Sequence, residues 1–265
     1  MKASVFGRLS ILLLFLLLGF NSLEAKQIGN RYQGSAKALE GNIYVFTCYV
    51  SETGWSDEEV EDFNAMLLEA EEWLVEQARN YGKEVYFQNE TAGLVKPLLF
   101  DHIVIGTGSG DEPVDLVSKL MPMIGFDNGL DFVKWVHNDT DCDGCLVLMV
   151  ANKPGRSYSM AFKDTYSREK YFLEGTMLFT SFEDGMPDCA AGIAHEMCHL
   201  FGAEDLYATF LQTEENEARA RELFPDDIML RVSYTISTLK IDCLTGWMVG
   251  LTEDMEDWYL DFLYE

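Results

Sequence analysis

Positive charge is scarce in this chain. Only 19 of its 265 residues are Lys or Arg, against 45 Asp or Glu, and the formal net charge is −26. Such a chain repels phosphate backbones and anionic lipid, which argues against nucleic-acid and membrane-surface partners. Acidity of this size favours solubility, cationic partners or metal ions. Proline is sparse too, at six residues. No Pro-rich linker, internal repeat or low-complexity tract divides the chain. Past the N-terminus no apolar run approaches the ~20 residues of a membrane span. Only four His occur, so any pairing among them is informative. What is present is an ordinary globular mix, 48% hydrophobic and 24% charged, which excludes wholesale disorder and suffices for a sizeable core.

The first 25 residues read as a secretory signal peptide. Lys2 and Arg8 supply a positive start, Ile11 to Phe20 is almost wholly apolar, and Ala25 offers a small residue for cleavage. Residues 26–41 are polar and Gly-bearing, and look like a short loose leader. Residues 42–265 are then the folded part, with a larger N-terminal lobe over about 42–201 and a small, mainly helical C-terminal lobe over about 202–265.

Asn42 to Ser51 is apolar and rich in aromatic and β-branched residues, and predicts a strand. Ser56 and Glu59 have the spacing of a capping box, and apolar residues recur at helical spacing from Val60 to Tyr81. Further strands are expected at 85–88, 102–106, 145–152, 157–162 and 176–182. Further helices are expected at 112–124, 187–201, 214–222 and 233–239. The alternation makes the front lobe α/β, in a mixed α/β (α+β) chain.

His195-Glu196-Met197-Cys198-His199 is the most informative stretch. At about 100° per residue, a helix brings His195 and His199 to within about 40° of each other, one turn apart. Both imidazoles can then reach one metal ion, with Glu196 on the flank to contact a water on that ion. This is the HExxH arrangement of zinc hydrolases. Gly202 lets the chain turn sharply after the helix. Asp205 is thereby brought back as the third ligand, a hard oxygen donor, with Glu204 as its close competitor. Cys198 points about 80° away from the midpoint of the two His and reads as a buried small residue or a disulfide partner. His102 and His137 read as surface or satisfied histidines.

The string HExxHxxGxxD resembles the metzincin metallopeptidases, with Asp205 where those have a third His. The Asp form is similar to the immune inhibitor A group of secreted bacterial metallopeptidases and to the small Asp-ligand zinc endopeptidases. Asp227-Ile228-Met229 is similar to the Met-turn, and Leu244-Thr245-Gly246-Trp247 resembles the segment that follows it in the immune inhibitor A group. The resemblance spans roughly residues 138–250 and is firm over 195–207. It implies a metzincin-like fold, a twisted mixed sheet with the active-site helix in the N-terminal lobe. Arg231 stands where many metzincins have a Tyr, and Tyr234 and Tyr207 are the candidates for that role in stabilising an oxyanion. The resemblance also implies that Ser157 to Phe162 is the edge strand binding an extended substrate.

Asp139, Asp141 and Asp143, followed by Gly144, resemble the first half of a calcium loop. Val150 stands where an EF-hand needs an acid, which excludes that form. A Ca²⁺ site of another kind stays open beside the favoured reading, a solvated Asp-rich turn. Six cysteines in an exported chain permit disulfides, and Cys142 and Cys145 read as a local disulfide or free thiols. Asn89 and Asn138 head glycosylation sequons.

The expectation is a secreted or periplasmic Zn²⁺-dependent metalloendopeptidase acting on protein or peptide substrates. His195, His199 and Asp205 hold the metal and Glu196 is the general base. Its rivals are a secreted zinc-binding protein without catalysis and a zinc hydrolase acting on a non-peptide substrate.

Overall fold

The computed structural model of the chain describes residues 34–89, 98–101, 105, 112–160, 173–209 and 212–263. The expected signal peptide, and the expected leader as far as residue 33, lie outside these. A six-stranded sheet organises the rest. The central strand β1 (Gly41–Ser51) pairs in parallel with β2 (Val85–Asn89) along its first half and with β3 (Leu98–Asp101) along its second. On its other side β1 pairs in parallel with β4 (Gly144–Pro154), and β4 with β6 (Gly175–Ser181). The short β5 (Tyr158–Met160) runs antiparallel to β6 and closes that edge. The chain is therefore a mixed α/β protein with a mostly parallel sheet.

Both faces of the sheet are covered, as parallel sheets require. Ile43, Val45 and Tyr49 of β1, with Leu146, Leu148 and Val150 of β4, face one core. The alternate residues, Tyr44, Phe46, Cys48 and Val50 with Cys145, Val147 and Met149, face the other. Each large side chain so buried contributes about 1.5–3 kcal/mol. Helix α1 (Asp57–Asn80) packs on the first face with α4 (Ala190–Leu200). Helices α2 (Glu112–Met123) and α3 (Gly129–Asp139) cover the second. The capping box at α1 forms as expected: Glu59 N donates to Ser56 Oγ at 3.2 Å, and Ser56 N donates to Glu59 Oε2 at 2.8 Å.

After α4 come α5 (Glu214–Leu223), a 3₁₀ turn at Ile236–Thr238, α6 (Cys243–Met248) and a second 3₁₀ segment at Asp257–Phe262. Trp247, Tyr259 and Phe262 from this region join the same core as β1, α1 and α4. One hydrophobic core thus runs through both expected lobes. Among the described residues no helix is long and apolar enough to cross a membrane.

Several expectations need correction. The end of the leader is not loose: Ala36 and Leu39 are buried, Ser35 O accepts from Cys145 N, and Leu39 N donates to Val249 O. The helix expected from Pro187 begins at Ala190, because Pro187 bridges to Ser181 and Asp188 N donates to Thr180 O. The helix expected over 233–239 shrinks to the 3₁₀ turn. There Thr235 N donates to Ser233 Oγ, and Thr238 Oγ1 donates to Thr235 O, which competes with helical bonds. Helix α3 and strand β3 were not expected. Of the strand expected at 102–106 only Ile105 is described, as buried irregular chain; His102, Ala161 and Phe162 lie outside the described residues. No disulfide joins any of the six cysteines, and all but Cys243 are buried.

Candidate metal centre

Helix α4 is apolar and almost wholly buried, which fixes its rotation and aims one polar stripe out of the core. His195 and His199 lie on that stripe with ring centroids 4.8 Å apart and planes at 89°. After Leu200 the chain reverses at Gly202, whose φ of +101° is left-handed and suits glycine alone. Asp205 returns to the helix. Its Oδ1 lies 3.3 Å from Nε2 of His195 and 3.3 Å from Nε2 of His199. Ligand atoms of these three residues lie within 4.8 Å of one another, the one such convergence of His, Cys, Asp or Glu among the described residues. Glu204, the competing third ligand, is not part of it.

The outer imidazole nitrogens are fixed as well. Nδ1 of His195 lies 2.9 Å from Ile228 O, and Nδ1 of His199 lies 2.8 Å from Ala203 O. A carbonyl oxygen only accepts, so both Nδ1 atoms carry the proton. In the neutral rings both Nε2 lone pairs then face Asp205. Carbonyl partners of this kind orient metal-ligating imidazoles. Burial opposes protonation of His199, but the hydrogen bond and charge of Asp205, then Glu196 and the Ala203 carbonyl, push its pKa up to about 9. Burial acts to raise Asp205 and the two His outweigh it, holding its carboxyl well below the usual range. The donor set of two imidazoles and a carboxylate fits a metal ion.

Glu196 is buried beside this group, and its Oε2 accepts from Ser159 Oγ of β5 at 2.8 Å. Tyr207 stacks on His195 with centroids 6.2 Å apart. Burial raises the Tyr207 phenol foremost, followed by the Asp205 charge and a hydrogen bond to Asp205, so the phenol stays protonated. Tyr234 is exposed, and its hydroxyl donates to Pro187 O at 3.1 Å, outside the group. Arg231 is tied to Asp226 and to Pro225 O.

The Asp227–Met229 turn touches the centre directly, through the Ile228 carbonyl. Asp227 is fully buried. Its Oδ1 accepts from Met229 N at 2.7 Å and Thr245 Oγ1 at 2.9 Å, and its Oδ2 accepts from Asp242 N at 2.8 Å. Met229 O in turn accepts from Leu206 N, next to Asp205. The 244–247 segment, within α6, therefore braces the turn through Thr245. Sequence reasoning gave Asp227 and Ser159 no role; a buried acid beside the turn and a serine on the expected edge strand were the available signals.

Asp139, Asp141 and Asp143 do not converge. Asp139 ends α3, and Asp141 and Asp143 lie in the α3–β4 connection, where Asp143 Oδ2 accepts from Asn42 N at 2.9 Å and Asp141 O accepts from Asn42 Nδ2 at 2.9 Å. The solvated turn therefore describes this segment better than a calcium site. His137, near the end of α3, stays outside the centre, and burial and Lys37 lower its pKa. Cys198 is buried in the core, with its thiol raised by burial. Asn89 donates to the buried Glu71 carboxylate at 2.8 Å.

No family model matches the chain, and no curated protein matches it.

Proposed function

We propose that the chain is a Zn²⁺-dependent metalloendopeptidase, exported by its N-terminal signal, with a metzincin-like catalytic domain. The observation that carries this reading is the convergence of both Nε2 atoms on one Asp205 oxygen, with Glu196 on the same helix. Two nitrogens and one oxygen make a three-ligand set of the kind that leaves zinc a further position for chemistry. Ca²⁺ and Mg²⁺ prefer all-oxygen shells. When bound, zinc lowers the pKa of water towards neutrality and polarises a carbonyl.

The protein's own groups supply the rest. Glu196 accepts a proton from the attacking water and returns it to the leaving amine. Tyr207, protonated and stacked on His195, exchanges its hydrogen bond to Asp205 for one to the oxygen that becomes negative as the carbonyl is attacked. Met229 is fully buried and serves as packing. The antiparallel edge strand β5 touches α4 and offers backbone groups to an extended peptide. These features support the metzincin resemblance, with Asp205 in place of the third His.

The test is cleavage of a quenched peptide library by zinc-loaded protein. Turnover in the wild type, abolished in Glu196→Ala with zinc retained, is the expected result. Zinc binding with no turnover of any peptide supports the reading as a zinc-binding protein instead.

A further inference from the structure

Helix α4 and the edge strand β5 meet through a serine. Ser159 Oγ lies 2.8 Å from Glu196 Oε2 and 2.9 Å from the main-chain oxygen of the same residue. Two positions earlier, Ser157 Oγ lies 3.4 Å from Oδ2 of Asp188, just before α4. The same Ser157 hydroxyl accepts from Phe179 N of β6 at 3.1 Å. Asp188 is spent on the helix start, its Oδ1 accepting from Cys189 N at 2.8 Å. Ser157 thus binds a structural acid, whereas Ser159 binds the acid on the metal-facing helix.

We propose that Ser159 is the positioning residue for Glu196, and that it ties the orientation of the base to the strand on which substrate is seated. This rests on the peptidase reading above. A glutamate side chain has three rotatable bonds, and a proton acceptor must stay within hydrogen-bond reach of the proton it takes. With Oε2 held by Ser159, Oε1 is the oxygen left for that proton. A hydroxyl carries a single proton and has two acceptors in reach, the carboxylate and the Glu196 carbonyl. Both acceptors belong to Glu196, so the hydroxyl ties β5 to that residue through whichever of the two it serves. Because Ser159 lies on β5, displacement of that strand moves the base with it.

The test compares wild type, Ser159→Ala and Ser159→Thr, all zinc-loaded, by steady-state kinetics on a cleaved peptide and by crystal structures. Ser159→Ala is expected to keep its zinc, lose about tenfold or more in kcat and change KM by less than about twofold. Ser159→Thr, which keeps the hydroxyl, is expected to recover most of the loss. In the Ser159→Ala structure the Glu196 carboxylate is expected to leave its wild-type place. Wild-type kcat in Ser159→Ala, or a Glu196 carboxylate unmoved in its structure, overturns the proposal. If the wild type cleaves no peptide, the peptidase reading fails, and the Glu196 position in the Ser159→Ala structure still decides the role of Ser159.

Discussion

The carbonyl oxygen of Ile228 lies 2.9 Å from Nδ1 of His195. This contact fixes which face of the imidazole meets Asp205. It joins the helix that carries two of the candidate ligands to a turn 33 residues later in the chain, and it makes that turn part of the candidate metal centre. The turn is in turn built on the buried Asp227 carboxylate, which accepts three hydrogen bonds.

Replacing Asp227 by Ala is expected to leave the amides of Met229 and Asp242 without their acceptor. The expected cost is about 2–4 kcal/mol of folding stability, read by denaturant unfolding of metal-free protein. Loosening the Ile228 carbonyl is expected to weaken zinc binding by about tenfold as well, read by competition with a chromogenic chelator. Unchanged zinc affinity in a folded Asp227→Ala protein would show that the turn does not orient His195.

Asp205 and Glu204 make a direct contrast, since only Asp205 meets both Nε2 atoms. Asp205→Asn is expected to lower zinc affinity by roughly 100-fold or more, and Glu204→Gln to leave it within about twofold. The reverse order would exchange the two assignments.

Tyr207 and Tyr234 separate in the same way. Tyr207→Phe removes the phenol stacked on His195 and is expected to reduce kcat by about 10–100-fold with zinc retained. Tyr234→Phe removes an exposed hydroxyl bonded to Pro187 O, and its kcat is expected to stay at the wild-type level. Peptide turnover by the two variants under saturating substrate gives the answer.

Stability is expected to rise as the solution is acidified from about pH 8 to pH 5. Burial pushes Glu71 up to about 7 from 4.5, its Asn89 hydrogen bond opposing only in part. Between those values the folded chain holds a proton that the unfolded chain does not, so the stabilisation is complete below 4.5 and is lost as pH rises through 7. Asp188 and Asp227, each pushed up to about 6 chiefly by burial, act in the same direction. Glu71→Gln removes the buried charge. It is expected to stabilise metal-free protein at pH 8 by on the order of 3 kcal/mol and to flatten this part of the profile. Denaturant midpoints across that pH range check it; a fall in stability from pH 8 to 5 would contradict it.

The convergence of His195, His199 and Asp205 was legible in the sequence because it depends on local spacing. One helical turn separates His195 from His199, and one glycine reverses the chain before Asp205. Strands β1 and β4 were legible for a related reason, since buried parallel strands are continuous apolar runs. What escaped the sequence depends on distant partners. Residues 34–39 read as a leader because their polarity hides that Ser35 O caps the start of β4 and that Leu39 is buried. The start of α4 was misplaced because Pro187, a fit residue for a helix start, is drawn into a bridge with Ser181. An even cysteine count permitted disulfides, yet no two cysteines are joined and five of the six are buried. Tyr207 and Tyr234 could not be told apart, because stacking on His195 follows from the chain reversal and not from sequence distance.

The central claim is that one divalent cation is held by His195, His199 and Asp205. Titration of metal-stripped protein with Zn²⁺, read as bound metal per chain, tests it most directly. One equivalent on the wild type and none on the His195→Ala, His199→Ala, Asp205→Ala triple variant is the expected result. A wild type that binds no zinc, or a folded triple variant that still binds one equivalent with wild-type affinity, would contradict it.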